Sequence, residues 1–115
     1  MQNNNLYSYT KAKVESLTKN LLVIKRDGRV VKFDAEKIYN AIEKAVHSVF
    51  GKNHSVNING IVDNVILEIA NRFKGNIKIY ELQNIVEHTL LTLGEEAIYK
   101  EYVGYRSMRD IERER

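Results

Sequence analysis

The chain has 115 residues, 43% of them hydrophobic and 29% charged, a balance that suits one folded domain and excludes wholesale disorder. It contains no cysteine and no proline. Disulfides, thiolate metal sites and cysteine nucleophiles are therefore excluded, a reducing, cytoplasmic setting is favoured, and nothing forbids long unbroken helices. Eighteen basic against fifteen acidic residues leave a formal charge of +3, a surplus better matched to a local anionic ligand than to a long nucleic-acid track. No apolar run approaches the roughly 20 residues of a membrane span. The opening Met1-Gln2-Asn3-Asn4-Asn5 lacks the profile of a secretory signal.

Residues 1–20 are polar and asparagine-rich, a lead-in expected to be partly disordered, with Leu6, Val14 and Leu17 able to line a short helix. The domain proper is expected over 21–115. Leu21-Leu22-Val23-Ile24-Lys25 and Val30-Val31-Lys32-Phe33 are β-prone runs separated by Arg26-Asp27-Gly28-Arg29. Asp-Gly between two such runs predicts a hairpin, with the glycine taking the positive φ of a primed turn. Asp34 is suited to cap a first helix, in which Ile38, Ala41, Ile42, Ala45, Val46 and Val49 recur at helical spacing and Gly51 supplies a stop.

A second helix is predicted through Ile58, Ile61, Val62, Val65, Ile66, Ile69 and Phe73, closed by Gly75. Asn76-Ile77-Lys78-Ile79 is β-leaning and predicts one short strand added to the hairpin. Leu82, Ile85, Val86, Leu90 and Leu93 mark a third helix ending near Gly94. A fourth starts near Glu95, with Ala97, Ile98, Tyr102, Tyr105 and Met108 on its inner side. Four amphipathic helices need partners for their apolar stripes, so the expected fold is α+β: a small four-helix bundle capped by a β-hairpin plus one short third strand.

Charge concentrates at the hairpin tip. Lys25, Arg26 and Arg29 surround Asp27-Gly28, and Lys32 and Lys37 follow closely. A rigid turn offering cations and backbone N–H groups, beside the positive end of a helix, suits a phosphate-bearing ligand. The same residues could instead form a solvated turn.

Val23-Ile24-Lys25-Arg26-Asp27-Gly28-Arg29, then Phe33-Asp34, Lys37-Ile38 and Ala41-Ile42, resemble the signature of the ATP-cone, the nucleotide-binding regulatory domain usually found at the N-terminus of ribonucleotide reductases. The likeness covers about 21–111 and includes the closing Tyr102-Val103-Gly104-Tyr105-Arg106-Ser107-Met108-Arg109. The resemblance implies an allosteric activity site for ATP and dATP, acting on the reductase's catalytic or radical-generating subunit through changes in subunit association, including nucleotide-dependent self-association. By matching position it implies that Lys25, Arg26 and Lys37 contact phosphates, that Val23 and Ile38 bound the base, and that Asp27-Gly28 presents backbone donors. Asp34 would reach base or ribose, Gln83 would stand where other members place a polar or histidine side chain, and Arg106 or Arg109 would reach the nucleotide. Val31 departs from members with an acidic residue facing the base. Magnesium would bridge crowded phosphates if more than one nucleotide bound.

No nucleophile–base pair is apparent, so the chain is expected to be a switch module rather than an enzyme. His47, His54 and His88 lack metal-ligand spacing. Tyr99, Tyr102, Arg106, Arg109 and Arg113 share a helical stripe that could bind nucleic acid, but inward tyrosines and paired arginines are the commoner arrangement. A nucleic-acid module and a structural dimerisation bundle are the alternatives, and an excised domain and a free-standing one are both compatible with the sequence.

Overall fold

A computed structural model describes the backbone of residues 16–114 and the side chains of residues 16–107. The expected helix through Leu6 and Val14 and the side chains of Met108, Arg109 and Arg113 lie outside the described residues. The element order is β1 (Leu22–Ile24), β2 (Val30–Lys32), α1 (Ala35–Phe50), α2 (Ile58–Arg72), β3 (Asn76–Lys78), α3 (Ile79–Thr92) and α4 (Glu96–Glu114). This is the α+β arrangement expected from the sequence. No helix among the described residues is long and apolar enough to cross a membrane.

The helices close into a ring: α1 packs on α2, α2 on α3, α3 on α4, and α4 returns to α1 in the broadest helix contact. Each contributes a stripe to one core, in which Ile42, Val46, Val62, Val65, Ile69, Leu90 and Ile98 are completely buried. The sheet, ordered β2-β1-β3, covers this core. β1 runs antiparallel to β2 and parallel to β3, with Val23 opposite both Val31 and Ile77. Side chains alternate across a strand, so Val23 and Ile77 join the core while Leu22 and Val30 face outward. The parallel pairing follows from the connection, since α1 and α2 lie between β2 and β3 and carry the chain back to the same end.

The hairpin forms as expected, but its turn is of another kind. Gly28 N–H donates to the Lys25 carbonyl (3.0 Å) and Lys25 N–H to the Arg29 carbonyl (2.8 Å). Gly28 has φ of 90°, whereas no non-glycine residue among those described has a positive φ. A primed two-residue turn would need positive φ at Asp27 as well, so Arg26-Asp27-Gly28 is instead a three-residue loop ending in a left-handed glycine.

Helix boundaries depart from expectation in two places. Gly75 does not stop α2. The helix ends at Arg72, with extended Phe73 donating its N–H to the Ile69 carbonyl, and the Gly75 carbonyl accepts from Leu22 N–H (3.0 Å), prolonging the sheet. Ile79 belongs to α3 rather than to the strand: Glu81 Oε1 accepts from Lys78 N–H (2.9 Å), turning the chain directly from β3 into the helix. Leu93 is exposed while Thr89 is buried, and α4 turns Ile98 and Tyr102 inward, leaving Ala97 and Tyr105 outside the core.

Substitutions at two positions test this account. Ile69→Ala, at a completely buried α2 position, should lower stability by about 2–5 kcal/mol in urea unfolding. At Gly28, space for a Cβ is open but φ is left-handed. Gly28→Ala should therefore cost about 1–2 kcal/mol through the backbone alone, and Gly28→Asn should recover much of it in the same measurement.

Candidate functional site

Helix α1 has a second face beside its core stripe. Asp34 caps the helix, its carboxylate accepting from Glu36 N–H (3.0 Å). Lys37, Ala41 and Lys44 follow at three- and four-residue steps, so they share a side of the helix with Asp34. That side opens on a cavity of about 460 Å³, a size typical of small-molecule sites.

The cavity lies between α1, the β-cap and the two C-terminal helices. Its lining includes Lys25 and Phe33 from the cap, Asp34, Lys37, Ile38, Asn40, Ala41 and Lys44 from the α1 region, Ile79, Leu82, Gln83 and Val86 from α3, and Tyr102 and Tyr105 from α4. Ile38, Leu82, Val86 and Tyr102 are buried core residues, so the floor is apolar. Three lysines and one carboxylate stand on the lining, an excess of two positive charges over an apolar floor.

Lys37 and Lys44 are seven residues apart, about 10 Å along the helix axis, so positive charge is spread along the cavity. At Lys44, Nζ donates to Tyr105 Oη (3.4 Å) and sits 5.3 Å from the Tyr105 ring centroid, linking α1 to α4. At the other side, Arg26 Nη2 donates to Gln83 Oε1 (3.2 Å), linking the hairpin tip to α3.

Of the residues singled out from sequence, Lys25, Asp34, Lys37, Ile38 and Gln83 line the cavity together. Arg26 reaches its edge through Gln83. Val23 does not line it: the residue is 5% exposed and belongs to the core beneath, because its place in β1 points it inward. Asp27 and Gly28 are absent from the lining as well. Asp27 Oδ1 accepts from Arg29 N–H (3.0 Å) and Oδ2 from Arg29 Nε (2.8 Å). Those hydrogen bonds, from the backbone first and the guanidinium second, hold the exposed Asp27 carboxyl below its usual range. Of the Asp27-Gly28 donors expected to face a ligand, the Gly28 N–H is engaged within the turn by the Lys25 carbonyl, and the neighbouring Arg29 N–H by Asp27.

Arg106 is not on the lining either. It forms an ion pair with Glu87 of α3, both side chains being mostly buried. The paired-arginine arrangement expected for the α4 stripe is therefore present at this position. Its partner sits on a different helix, so no local pattern announced it. Lys44 and Asn40, missed from sequence, carried a usable signal: both extend the α1 side that starts at Asp34 and Lys37. Tyr102 and Tyr105 are placed here by the closure of the bundle.

The described side chains do not form a metal cage. Among the described residues, Asp34 is the lone lining carboxylate and already caps α1, and no three His, Asp or Glu side chains gather into a metal site. His47 and His54 do meet, with ring centroids 5.5 Å apart, and His54 Nδ1 accepts from Val56 N–H.

Comparison with known proteins matches this chain to a family. The model of the ATP cone domain matches residues 21–111. The chain is 36% identical over 96 residues to the anaerobic ribonucleoside-triphosphate reductase of Haemophilus influenzae, covering 84% of this chain and 13% of that protein. It is 33% identical over 100 residues to the ribonucleoside-diphosphate reductase subunit alpha of Chlamydia trachomatis, covering 78% and 10%. To the vitamin B12-dependent ribonucleoside-diphosphate reductase of Thermoplasma acidophilum it is 34% identical over 98 residues, covering 80% and 12%. The chain thus spans about a tenth of the length of these relatives. A family match across nearly all of the folded region, on a bundle with a charged cavity under a β-cap, establishes that the chain belongs to the ATP-cone domain family.

Proposed function

We propose that the chain binds ATP and dATP in the cavity beside α1 and acts as a regulatory switch for a ribonucleotide reductase, with no turnover of its own. The observation that carries this reading is the pairing of an apolar floor with three lysines and one carboxylate on a single lining. A purine needs the floor, a polyphosphate needs the cations, and a ribose hydroxyl needs an acceptor.

Roles for the residues follow from charge. Lys25 and Lys37 bind phosphates, and Arg26 joins them from the edge. Asp34 repels phosphate and already occupies the α1 N-terminus, so the phosphates gain little from that helix end. Its carboxylate instead suits a neutral donor, a ribose hydroxyl or a base amine. Ile38 packs against the base, and Gln83 serves the site from α3. Arg106, neutralised by Glu87, contributes no free positive charge to a nucleic-acid surface at this point of α4, which favours the nucleotide reading over that alternative.

The 2′-hydroxyl is the chemical difference between ATP and dATP, so a switch between them requires a contact near the ribose. A ligand must also prefer one arrangement of the protein over another, because equal affinity for both shifts nothing. The output we assign to the switch is a change in association, with the reductase's catalytic or radical-generating subunit or with a second copy of the chain. Magnesium accompanying the phosphates belongs to the nucleotide ligand, since the lining supplies no cage for it.

Titration of the chain with ATP and with dATP, followed by calorimetry with molecular mass measured in the same samples, tests the proposal. The expected result is saturable binding of both, and heat traces flat for both would refute it. Lys25→Ala combined with Lys37→Ala should abolish that binding while leaving the helical circular dichroism intact, as both side chains lie outside the core. Asp34→Ser, which retains a capping hydroxyl, should weaken ATP by about tenfold more than dATP. An unchanged ratio would assign the ribose contact elsewhere.

A further inference from the structure

Strand β2 is an edge of the sheet, bonded to β1 on one side and to no strand on the other among the described residues. The ladder fixes which of its backbone groups reach that open side. Phe33 N–H donates to the Leu21 carbonyl and Lys25 N–H to the Arg29 carbonyl, so residues 29, 31 and 33 turn toward β1. Alternation then sends the N–H and carbonyl groups of Val30 and Lys32 outward. No hydrogen bond occupies these groups among the described residues. The side chains of Val30 and Lys32 are exposed, and so is that of Leu22, opposite Lys32 on β1.

Lys32 gives this edge its charge. No carboxylate occurs from Gly28 to Phe33, and none of the ion pairs among the described residues involves Lys32. The nearest carboxylates in sequence are held elsewhere, Asp27 by Arg29 and Asp34 by the α1 cap. A lysine on an open edge deters indiscriminate strand pairing, yet it accepts a segment that brings a carboxylate.

We infer that the β2 edge is a docking surface for an extended acidic segment of a partner protein, added as a fourth strand antiparallel to β2. An acidic side chain of that segment lies across from Lys32, and an apolar one two positions later lies across from Val30. The residue between them turns to the core side, as Val31 does. A peptide backbone supplies both the donors and the acceptors that the edge lacks, whereas nucleic-acid phosphates supply acceptors alone. A second copy of β2 paired about Val31 would set two Lys32 side chains diagonally across from each other. Val30, Val31 and Lys32 lie outside the cavity lining, so this surface does not depend on the nucleotide reading.

The test uses the whole chain and two capped, threonine-flanked peptides that carry Glu-Val-Val or Lys-Val-Val at their centre. Followed by amide chemical shifts, the glutamate peptide should act on Val30 and Lys32 and bind about fivefold more tightly than the lysine peptide. Lys32→Glu should reverse that preference. Lys32→Pro removes an outward N–H and no bond to β1, so it should abolish glutamate-peptide binding with the thermal midpoint unchanged. Equal affinity for the two peptides, shifts that leave β2 untouched, or no binding at all would overturn the inference. So would a doubling of molecular mass that Lys32→Pro abolishes, which would seat a second copy on this edge. Tighter binding of a thymidine oligonucleotide to the same residues would overturn it as well.

Discussion

Helix α1 must satisfy two neighbours at once, and the rest of the structure depends on how it does so. Ile38, Ile42, Ala45 and Val46 face the core, while Asp34, Lys37, Ala41 and Lys44 lie to one side of that stripe. At about 100° per residue the two faces meet along Ile38, which is both a core residue and a cavity lining residue. The hydrophobic burial that fixes α1 against α2 and α4 therefore also fixes the direction of its lysines. A rotation that brought the cations closer to a ligand would draw Ile42 and Val46 out of a fully buried environment, at about 1.5–3 kcal/mol for each side chain exposed. The cavity is thus rigid on its α1 wall, and adjustment falls to the hairpin tip and to α4.

Electrostatics at the tip separates the work of residues that look alike in sequence. Lys25, Arg26 and Arg29 form one charged cluster when written as letters. In three dimensions Arg29 closes the turn with Asp27, Arg26 crosses to α3, and Lys25 lines the cavity. Asp27 earns its place through geometry: both carboxylate oxygens accept from Arg29, which stiffens a loop whose glycine already sits at φ of 90°. The residues that build the turn are therefore distinct from those that serve the cavity.

What was legible in the sequence is what local chemistry encodes. The four helical stripes, the hairpin, the Asp34 cap and the third strand each follow from spacing and residue type over a few positions. Gly75 misled because a glycine after a helical run is a common stop, whereas here extended Phe73 ends the helix and the Gly75 carbonyl joins the sheet. Val23 misled because the motif marks its position without saying which face of β1 it occupies; parallel pairing with Ile77 turns it into the core. Arg106 is paired as expected, but its partner Glu87 lies on another helix and left no local signal. In each case the missing information was long-range, supplied by the partner that the fold brings near.

Helix α4 is where a ligand in this cavity would be felt beyond it. Tyr102 and Tyr105 reach the lining, Glu101 accepts from Ser48 of α1, and Arg106 pairs with Glu87 of α3. Within two helical turns, α4 is thereby tied to the cavity, to α1 and to α3. On the nucleotide reading, a base or phosphate that displaces Tyr105 from Lys44 acts on the same helix that α1 and α3 hold by polar contacts. The contact being displaced is long and exposed, 3.4 Å with Tyr105 39% accessible, whereas Ile98 and Tyr102 are anchored in the core. On the nucleotide reading, α1 is the firm wall of the cavity and α4 is the element that the cavity shares with both α1 and α3.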